Sequence, residues 1–501
     1  MLTAALVWWV WGSLRQVPVY HDERAYVLQA QIFAAGRWVA AAPPLSEFFQ
    51  QFHVLVTPVV AAKYPPGHSL IMTPGIWFGL PGLVPVLLSA TTGALVFALP
   101  RRRLNGWIGL LAWWMWITEG QNLMWRASYF SEVTTSAVWM VSWWLLMEWR
   151  ARKRWPLLVG LATTVGWGAI TRPLTTVALA IPIAVVVLAD IVRSRRFAQL
   201  GPAFVVGAAM LAVIPVWSSH TTGDWTLTPL ALYTRTYIPW DHPGFGLDTT
   251  PPVRALRPDQ ILPDTVYKTF NREHTVRAVP RIAIERLQGI ATDADRDWRK
   301  ALALFALVGL CLAPAEGYFA VVTAGLLFVA YLSYVQSSTW TIYYLELVPV
   351  VMWLAALGCW RTLVVLAPGA LPPDGRGRPT APRAAVGVVL LVLATLPFVE
   401  SDVSGSKRYT VSHTAYQRAF NRQVATLSTK AIVFVRYGPG HNDHISLVGN
   451  VPDVAAAHAW IAYDRGDTNA ELISAAPDRV PYLFDDADST LSVMTRPQRA
   501  P

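Results

Sequence analysis

Two adjacent carboxylates are the first feature able to do chemistry, in the stretch His21-Asp22-Glu23-Arg24-Ala25-Tyr26. The stretch opens a helical pattern that Gly36 is expected to end, because glycine readily adopts the left-handed conformation found after helices. A carboxylate held in position can accept a proton from a reacting hydroxyl group, so Asp22 and Glu23 are candidate catalytic residues. An alternative of about equal weight is that Asp22 only caps the helix, where its oxygen accepts from a free backbone N–H.

Two basic residues could bind a phosphate group. Lys63 lies among aromatic residues in Lys63-Tyr64-Pro65-Pro66-Gly67-His68, shortly after Phe52-His53, and a lysine can hold a phosphate as a point charge. Arg172 follows one apolar run and precedes Pro173, where the next begins. The commoner roles of such residues are structural: the lysine reaches to water from an apolar surface, and the arginine anchors the chain at lipid headgroups.

A loop rich in aromatic residues supplies further candidates. The segment 222–246 contains Tyr233 and Asp241 among many glycine, proline and aromatic residues, which is not the composition of a disordered linker. We expect it to pack over a site and, together with His53 and Tyr64, to contact a substrate. A purely structural loop fits the composition nearly as well, although binding residues are disproportionately found on loops.

The composition of the chain indicates the class of protein whose fold positions these residues. Apolar residues make up 54% of the chain and charged residues 14%, against roughly a quarter charged in soluble domains, so the chain is predicted to be an integral membrane protein. The formal net charge is +10, and much of it lies in short loops of the kind that mark the cytoplasmic side. The sequence has no basic run interleaved with aromatic residues that could stack on bases, so nucleic-acid binding is not expected.

About eleven apolar runs have a length near the roughly 17–25 residues that cross a bilayer. We place them near residues 2–18, 81–99, 105–120, 129–149, 156–171, 174–192, 199–217, 300–316, 318–336, 343–362 and 384–399. Basic clusters follow the second, fourth, sixth and tenth runs, at 101–103, 150–154, 193–196 and 372–383. That face is therefore predicted to be cytoplasmic, with the N-terminus inside and the C-terminus outside. Glu132 and Glu346 fall near outer ends of runs, where ionisable groups are often functional.

Three external segments remain, the loops 19–80 and 218–299 and the tail 400–501. The expected architecture is an all-α polytopic membrane protein in which residues 1–399 form the transmembrane domain, with amphipathic helices on the outer membrane surface. In the tail, residues 431–435 and 459–462 have the pattern of short buried strands. We therefore predict that 400–501 forms a small extracytoplasmic α/β domain.

Several of these stretches together match a known family. They are His21-Asp22-Glu23 with Tyr26, Phe52-His53, Lys63-Tyr64-Pro65-Pro66-Gly67, Thr171-Arg172-Pro173, Thr222-Gly223-Asp224, Tyr233, Tyr237-Ile238-Pro239-Trp240-Asp241 and Gly244-Phe245-Gly246. In these stretches the chain resembles the GT-C superfamily of glycosyltransferases that use sugars linked to polyprenyl phosphate. It is most similar to family 39-like bacterial members, related to protein O-mannosyltransferases and the lipid A aminoarabinose transferase. The resemblance covers most of the chain and is closer in the outer segments than in the spans.

The resemblance implies an extracytoplasmic active site and an inverting transfer of a sugar to an acceptor hydroxyl. Asp22 matches the family's catalytic carboxylate, Glu23 the second acid of the pair and Lys63, approximately, a lysine that contacts the donor phosphate. Arg172 is assigned to the phosphate by position alone. The implied partners are a polyprenyl-phosphate-linked sugar, an external glycan, lipid or protein acceptor, and the lipid of the cytoplasmic membrane. No cofactor is certain; a divalent metal ion could bind Asp22 and Glu23, although two carboxylates do not define a site.

Two other functions fit part of the pattern. A transporter or flippase for a lipid-linked saccharide should place ionisable residues near the middle of several spans, whereas here they cluster at outer span ends and in outer loops. A non-catalytic envelope assembly protein would bind a partner through its tail and would not depend on Asp22. The clustering favours a reaction at the outer membrane surface, so the glycosyltransferase is the preferred hypothesis.

Overall fold

The computed structural model describes residues 1–254, 263–294, 300–366 and 382–495. Its α-helices are α1 (Leu2–Trp11), α2 (His21–Ala34), α3 (Gly67–Trp77), α4 (Leu83–Arg103), α5 (Gly106–Ile117), α6 (Gly120–Arg126), α7 (Glu132–Arg152), α8 (Trp155–Ala169), α9 (Pro173–Ser194), α10 (Leu200–Leu211), α11 (Val213–Thr222), α12 (Pro229–Tyr237), α13 (Lys268–Glu273), α14 (Val279–Ala294), α15 (Lys300–Cys311), α16 (Ala315–Tyr331), α17 (Leu347–Leu366), α18 (Pro382–Ala425) and α19 (Asn469–Ala475). Its β-strands are β1 (Ala40–Ala41), β2 (Val54–Leu55), β3 (Val59–Ala62), β4 (Ala431–Arg436), β5 (Ala459–Tyr463), β6 (Val480–Asp485) and β7 (Thr490–Val493).

Each predicted apolar run overlaps at least one of these helices. In the described part of the chain, five helical segments are long and apolar enough to cross a membrane: Leu83–Arg103, Pro173–Ser194, Phe197–Thr222, Leu347–Leu366 and Ala385–Ala425. Shorter apolar helices are Leu2–Trp11, Gly106–Ile117, Leu302–Cys311 and Ala315–Tyr331. The fold is thus a mostly helical, multi-pass membrane bundle. The number of about eleven crossings stays a prediction, because a helix of 12 residues reaches only about 18 Å.

One end of the bundle collects the basic clusters. Arg102 at the end of α4 pairs with Glu148 near the end of α7, and Arg150 pairs with Asp190 of α9 at 3.1 Å. The three clusters that are predicted to be cytoplasmic and lie within the described residues therefore share one end. Because α9 runs toward this end, Arg172, just before its first residue, lies at the other.

The tail is continuous with the membrane bundle. Helix α18 has 44 residues, so the predicted boundary between 399 and 400 falls inside a single helix. It starts at 382, after undescribed residues that hold most of the predicted basic stretch 372–383. Strands β4 and β5 lie where the sequence predicts strands, in a four-stranded sheet of order β5-β4-β6-β7. The sheet's core includes Phe48 and Phe49 from the segment 19–80, so the autonomy of the tail stays a prediction.

Helix α2 is enclosed by protein on most sides. Ten of its fourteen residues are buried, and it packs against α3 and β3. The expectation that the segment beginning at His21 is an amphipathic helix on the outer membrane surface stays a prediction, and protein covers most of this helix. At its start, His21 Nε2 donates to the Asp443 carbonyl oxygen at 2.9 Å, and Tyr20 forms a β-bridge with Ile445. These contacts fix the position of the carboxylate pair.

Candidate active site

Glu23 holds the turn at the start of α2. One carboxylate oxygen accepts from the backbone N–H groups of Val19 at 2.8 Å and Tyr20 at 3.1 Å, and the other accepts from that of Tyr129 at 2.8 Å. Burial raises the pKa of the Glu23 carboxyl group, against the opposing effect of these three N–H groups. Glu23 thus completes a capping box and orients its neighbour Asp22.

Asp22 is the partly exposed member of the pair. Its side chain is 36% exposed, and Oδ1 accepts a hydrogen bond from the Tyr64 hydroxyl group. Oδ2 lies 3.6 Å from His53 Nε2, beyond hydrogen-bond distance. The N-cap residue of α2 is Tyr20, so the alternative that Asp22 is merely the cap does not fit the geometry. Oδ2 is therefore the oxygen best placed to accept a proton.

His53 lies beside Asp22 as a neutral ring. Burial, and then the charge of Lys63, hold the pKa of His53 well below its usual range. The residue has a φ of +69°, an uncommon conformation for a non-glycine residue, and its backbone N–H donates to the Tyr233 hydroxyl oxygen at 3.0 Å. Its Nδ1 is buried without a hydrogen-bond partner among the described residues. A neutral imidazole here can donate one hydrogen bond, so it can orient a carboxylate or a sugar hydroxyl.

Lys63 is a buried cation in the same loop. It follows β3, whose partner β2 begins right after His53, and its ammonium group lies 3.6 Å from Asp241 Oδ2. The side chains of Lys63 and Asp241 are 4% and 16% exposed. The rings of Tyr64 and Tyr233 lie 5.4 and 5.1 Å from Nζ, within the range of cation–π attraction. The antiparallel pairing of β2 with β3 therefore brings Lys63 beside His53, and the segment 222–246 adds Tyr233 and Asp241.

Arg172 forms a separate ion pair with Glu132. Its Nη1 contacts the Glu132 carboxylate, Nη2 donates to the Tyr331 hydroxyl oxygen at 2.6 Å and Nε donates to Thr175 Oγ1 at 3.3 Å. All three guanidinium nitrogens therefore have protein acceptors, so a phosphate would have to displace one of them. The sequence indicates both charged residues as candidates but not their pairing, because they lie on different helices.

A chain of contacts joins this ion pair to Asp22. Arg172 Nη1 lies 3.4 Å from Ser131 Oγ, which accepts from the Tyr26 hydroxyl group at 3.0 Å. The Tyr26 ring stacks on the Tyr64 ring with a centroid distance of 4.7 Å, and Tyr64 donates to Asp22. Asp22, Lys63 and Arg172 therefore belong to one connected set at the end of the bundle opposite the basic clusters.

Several tyrosines at this end were not predicted from the sequence. Burial, then the nearby carboxylates of Asp241 and Asp22, raise the pKa of Tyr267 well above its usual value. The Tyr343 ring centroid lies 5.2 Å from the guanidinium carbon of Arg172, and Tyr331 contacts the same side chain. The density of tyrosines in 331–344 is a sequence signal for Tyr331 and Tyr343, but it does not cover Tyr267. Together they give the site a largely aromatic wall.

The donor set does not fit a metal ion. Both oxygens of Glu23 accept from backbone N–H groups, so this carboxylate is not free to bind a cation with Asp22. Among the described residues, no group of three or more His, Cys, Asp or Glu side chains is arranged to hold a metal. The expectation of a metal site at Asp22 and Glu23 is therefore not supported by the geometry.

Comparison with known proteins finds similarity in structure and not in sequence. No family model and no curated protein matches the sequence. ArnT from Cupriavidus metallidurans in the apo state matches with a TM-score of 0.52 and 14% identity, over 97% of this chain and 88% of that one. Arabinosyltransferase EmbB from Mycobacterium smegmatis matches with a TM-score of 0.46 and 11% identity over 85% of this chain and 41% of that one. The Archaeoglobus fulgidus oligosaccharyltransferase gives 0.43 and 11% over 96% and 69%. The likeness to ArnT shows that this membrane protein shares the fold of that protein, as the resemblance seen in its sequence predicts.

Proposed function

We propose that this chain is a membrane glycosyltransferase that moves a sugar from a polyprenyl-phosphate-linked donor to an extracytoplasmic acceptor hydroxyl, with inversion at the sugar carbon. The observation that carries the proposal is the setting of Asp22, a partly exposed carboxylate oriented by Tyr64. It lies in one connected set with the cations Lys63 and Arg172. The shared fold with ArnT supports the reaction class.

Asp22 is the proposed general base. The acceptor hydroxyl gives its proton to Oδ2 while its oxygen forms a bond to the anomeric carbon, on the face opposite the phosphate. The bond between that carbon and the phosphate oxygen breaks, and the phosphate leaves with the electron pair. Proton removal of this kind contributes roughly 10²–10⁴ in rate. Tyr64 donates to Oδ1 and fixes the carboxylate plane, while Glu23 positions the residue and does not react.

Lys63 is the proposed ligand of the donor phosphate. Its ammonium group is buried beside tyrosine rings, where water screens charge poorly, so it can stabilise the charge that develops on the leaving phosphate. Asp241 neutralises Lys63 before the donor arrives. Arg172 is a second proposed phosphate contact, reached by exchange of one present partner. His53, Tyr233 and Asp241 are proposed to contact the sugar or the acceptor.

The donor can be identified in a strain that lacks this chain. Mass spectrometry of extracted lipids should show an accumulated sugar-linked polyprenyl phosphate, and envelope glycans should lose one sugar. Expression of the wild-type chain should restore the normal lipids and glycans, and so should Asp467→Asn at an exposed site of the tail. Expression of Asp22→Asn should restore neither. Unchanged lipids and glycans in the deletion strain would contradict the proposal.

A further inference from the structure

A cavity lies on the face of α2 that is turned away from Asp22. It has a volume of about 510 Å³ and is bounded by α2, α18 and the sheet of the tail. Helix α2 lines it with Arg24, Val27, Leu28 and Gln31, whose spacing of three, four and seven residues defines one helix face. Asp22, two residues before Arg24, lies roughly 200° around the helix. The cavity and the proposed base therefore flank the same helix.

Arg24 gives this cavity a positive charge. Among the described lining residues the ionisable side chains are Arg24 and His458, and no Asp or Glu lines it. Arg24 Nη2 donates to the side-chain oxygen of Gln417, whereas Nε is buried without a hydrogen-bond partner in the described part of the chain. The adjacent acid Glu23 is already held by three backbone N–H groups. A largely buried guanidinium that forms no ion pair with a carboxylate is costly, and an anionic ligand would offset that cost.

The remaining lining suits a hydroxyl-rich ligand. Gln31, Gln51, Asn421 and Asn450 line the cavity, and their amide groups can both donate and accept hydrogen bonds. The volume lies within the roughly 300–1,000 Å³ of small-molecule sites. Gly449 leaves room for the arginine, since a Cβ there would lie 2.3 Å from Arg24 Nη1. Gln51 directly precedes Phe52-His53, so one wall of the cavity continues into the loop beside Asp22.

We infer that this cavity binds an oxyanion carried by a hydroxyl-rich group, either the carboxylate of an acidic sugar or the phosphate of a sugar phosphate. Bound there, that group would select the acceptor of the transfer, and in this respect the inference rests on the proposed function. A guanidinium can bind either oxyanion through two parallel hydrogen bonds, and the amides would contact the hydroxyl groups.

Calorimetric titration of the purified full chain in detergent tests the inference, with glucuronate, glucose 6-phosphate, inorganic phosphate and glucose as probes. The wild-type chain should bind glucuronate or glucose 6-phosphate at least about 10-fold more tightly than glucose, and the tighter of the two identifies the oxyanion. Inorganic phosphate should bind more weakly than glucose 6-phosphate. Equal affinities for the charged and neutral sugars, or equal affinities for both phosphates, would overturn the inference.

Variants in the cavity separate binding from folding. Arg24→Gln should weaken the preferred probe about 10-fold or more. Gln31→Glu adds a negative charge to the cavity and should weaken the same probe, whereas Gln288→Glu, at an exposed site on α14, should not. If Gln31→Glu folds and binds like the wild-type chain, the inference is wrong.

The variant Asp22→Asn distinguishes the inferred anion site from the proposed glycosyltransferase function. Asp22→Asn should bind the preferred probe with unchanged affinity while losing transfer. If Asp22→Asn loses transfer but the wild-type chain binds none of the anionic probes, the inferred acceptor site is wrong and the proposed function still stands. If the probe binds in an Arg24-dependent manner but Asp22→Asn transfers sugar normally, the inferred anion site stands and Asp22 is not the base.

Discussion

Asp22 and Glu23 are adjacent in the sequence, but they meet different surroundings. Glu23 is buried and accepts from three backbone N–H groups, whereas Asp22 is partly exposed and accepts from a tyrosine hydroxyl group. The resemblance already favours Asp22 as the base, but the sequence has no signal for the contacts of Glu23, because Tyr129 is 106 residues away. The same holds for Lys63 and Asp241, which only the folded chain brings together.

Replacement of Glu23 should mainly affect stability. Glu23→Ala leaves three backbone N–H groups without their acceptor, so we expect a loss of about 2–4 kcal/mol in the free energy of unfolding. Thermal unfolding followed by tryptophan fluorescence in detergent measures it, with Glu471→Ala, at an exposed position on α19, as the control. A Glu23→Ala variant as stable as this control would show that the capping contacts contribute little.

Replacement of Lys63 should weaken donor binding more than it affects the fold. Lys63→Ala leaves the Asp241 carboxylate unpaired, so the double variant Lys63→Ala/Asp241→Ala is the cleaner test. We expect the double variant to recover stability but to bind the donor about 10-fold or more weakly than the wild-type chain, because a charged contact to the phosphate is lost. Donor affinity and thermal stability are measured on each variant. A double variant with wild-type donor affinity would exclude Lys63 as the phosphate ligand.

At the level of elements, the apolar pattern predicts where helices lie better than where they end. The eleventh run is predicted to end at 399, yet α18 continues to Ala425. Hydropathy shows where an apolar run ends, but a helix can continue into polar residues that favour the helical conformation. Likewise, strands β4 and β5 follow from their apolar runs, but the packing of Phe48 on their sheet has no local signal, because it joins segments almost 400 residues apart.

Two buried histidines near the start of α2 should make stability depend on pH. Burial lowers the pKa of His21 to about 3 and holds the pKa of His53 well below its usual value. Below about pH 6.5 the unfolded chain binds protons at these positions and the folded chain does not. Stability present above pH 6.5 should therefore be lost as the pH falls from 7 to 5.

Thermal unfolding between pH 5 and 8 at fixed ionic strength measures this loss. We expect a flatter pH dependence in His53→Gln and His21→Gln, while His220→Gln, at an exposed site on α11, should behave like the wild-type chain. A wild-type chain with equal unfolding temperatures at pH 5 and 7 would contradict the assignment of these histidines as neutral in the folded state.

For the whole molecule, the charge difference between the two ends of the bundle predicts its orientation. Single cysteines can be introduced into a chain whose native Cys311 and Cys359 are replaced by alanine. A membrane-impermeant thiol reagent added to spheroplasts should label Asp467→Cys in the tail and spare Arg195→Cys, because basic loops stay in the cytoplasm. The opposite pattern would place the proposed active site on the cytoplasmic side.

The proposed base is tested most directly by the turnover of purified Asp22→Asn with the donor identified by mass spectrometry. The change keeps the size of the side chain and one oxygen for the Tyr64 hydrogen bond but removes the proton acceptor. We predict that turnover falls about 10²–10⁴-fold, or roughly 3–5 kcal/mol of barrier, while donor affinity and unfolding temperature change little and Asp467→Asn stays fully active. A folded Asp22→Asn that turns over at nearly the wild-type rate would contradict the assignment of Asp22 as the general base.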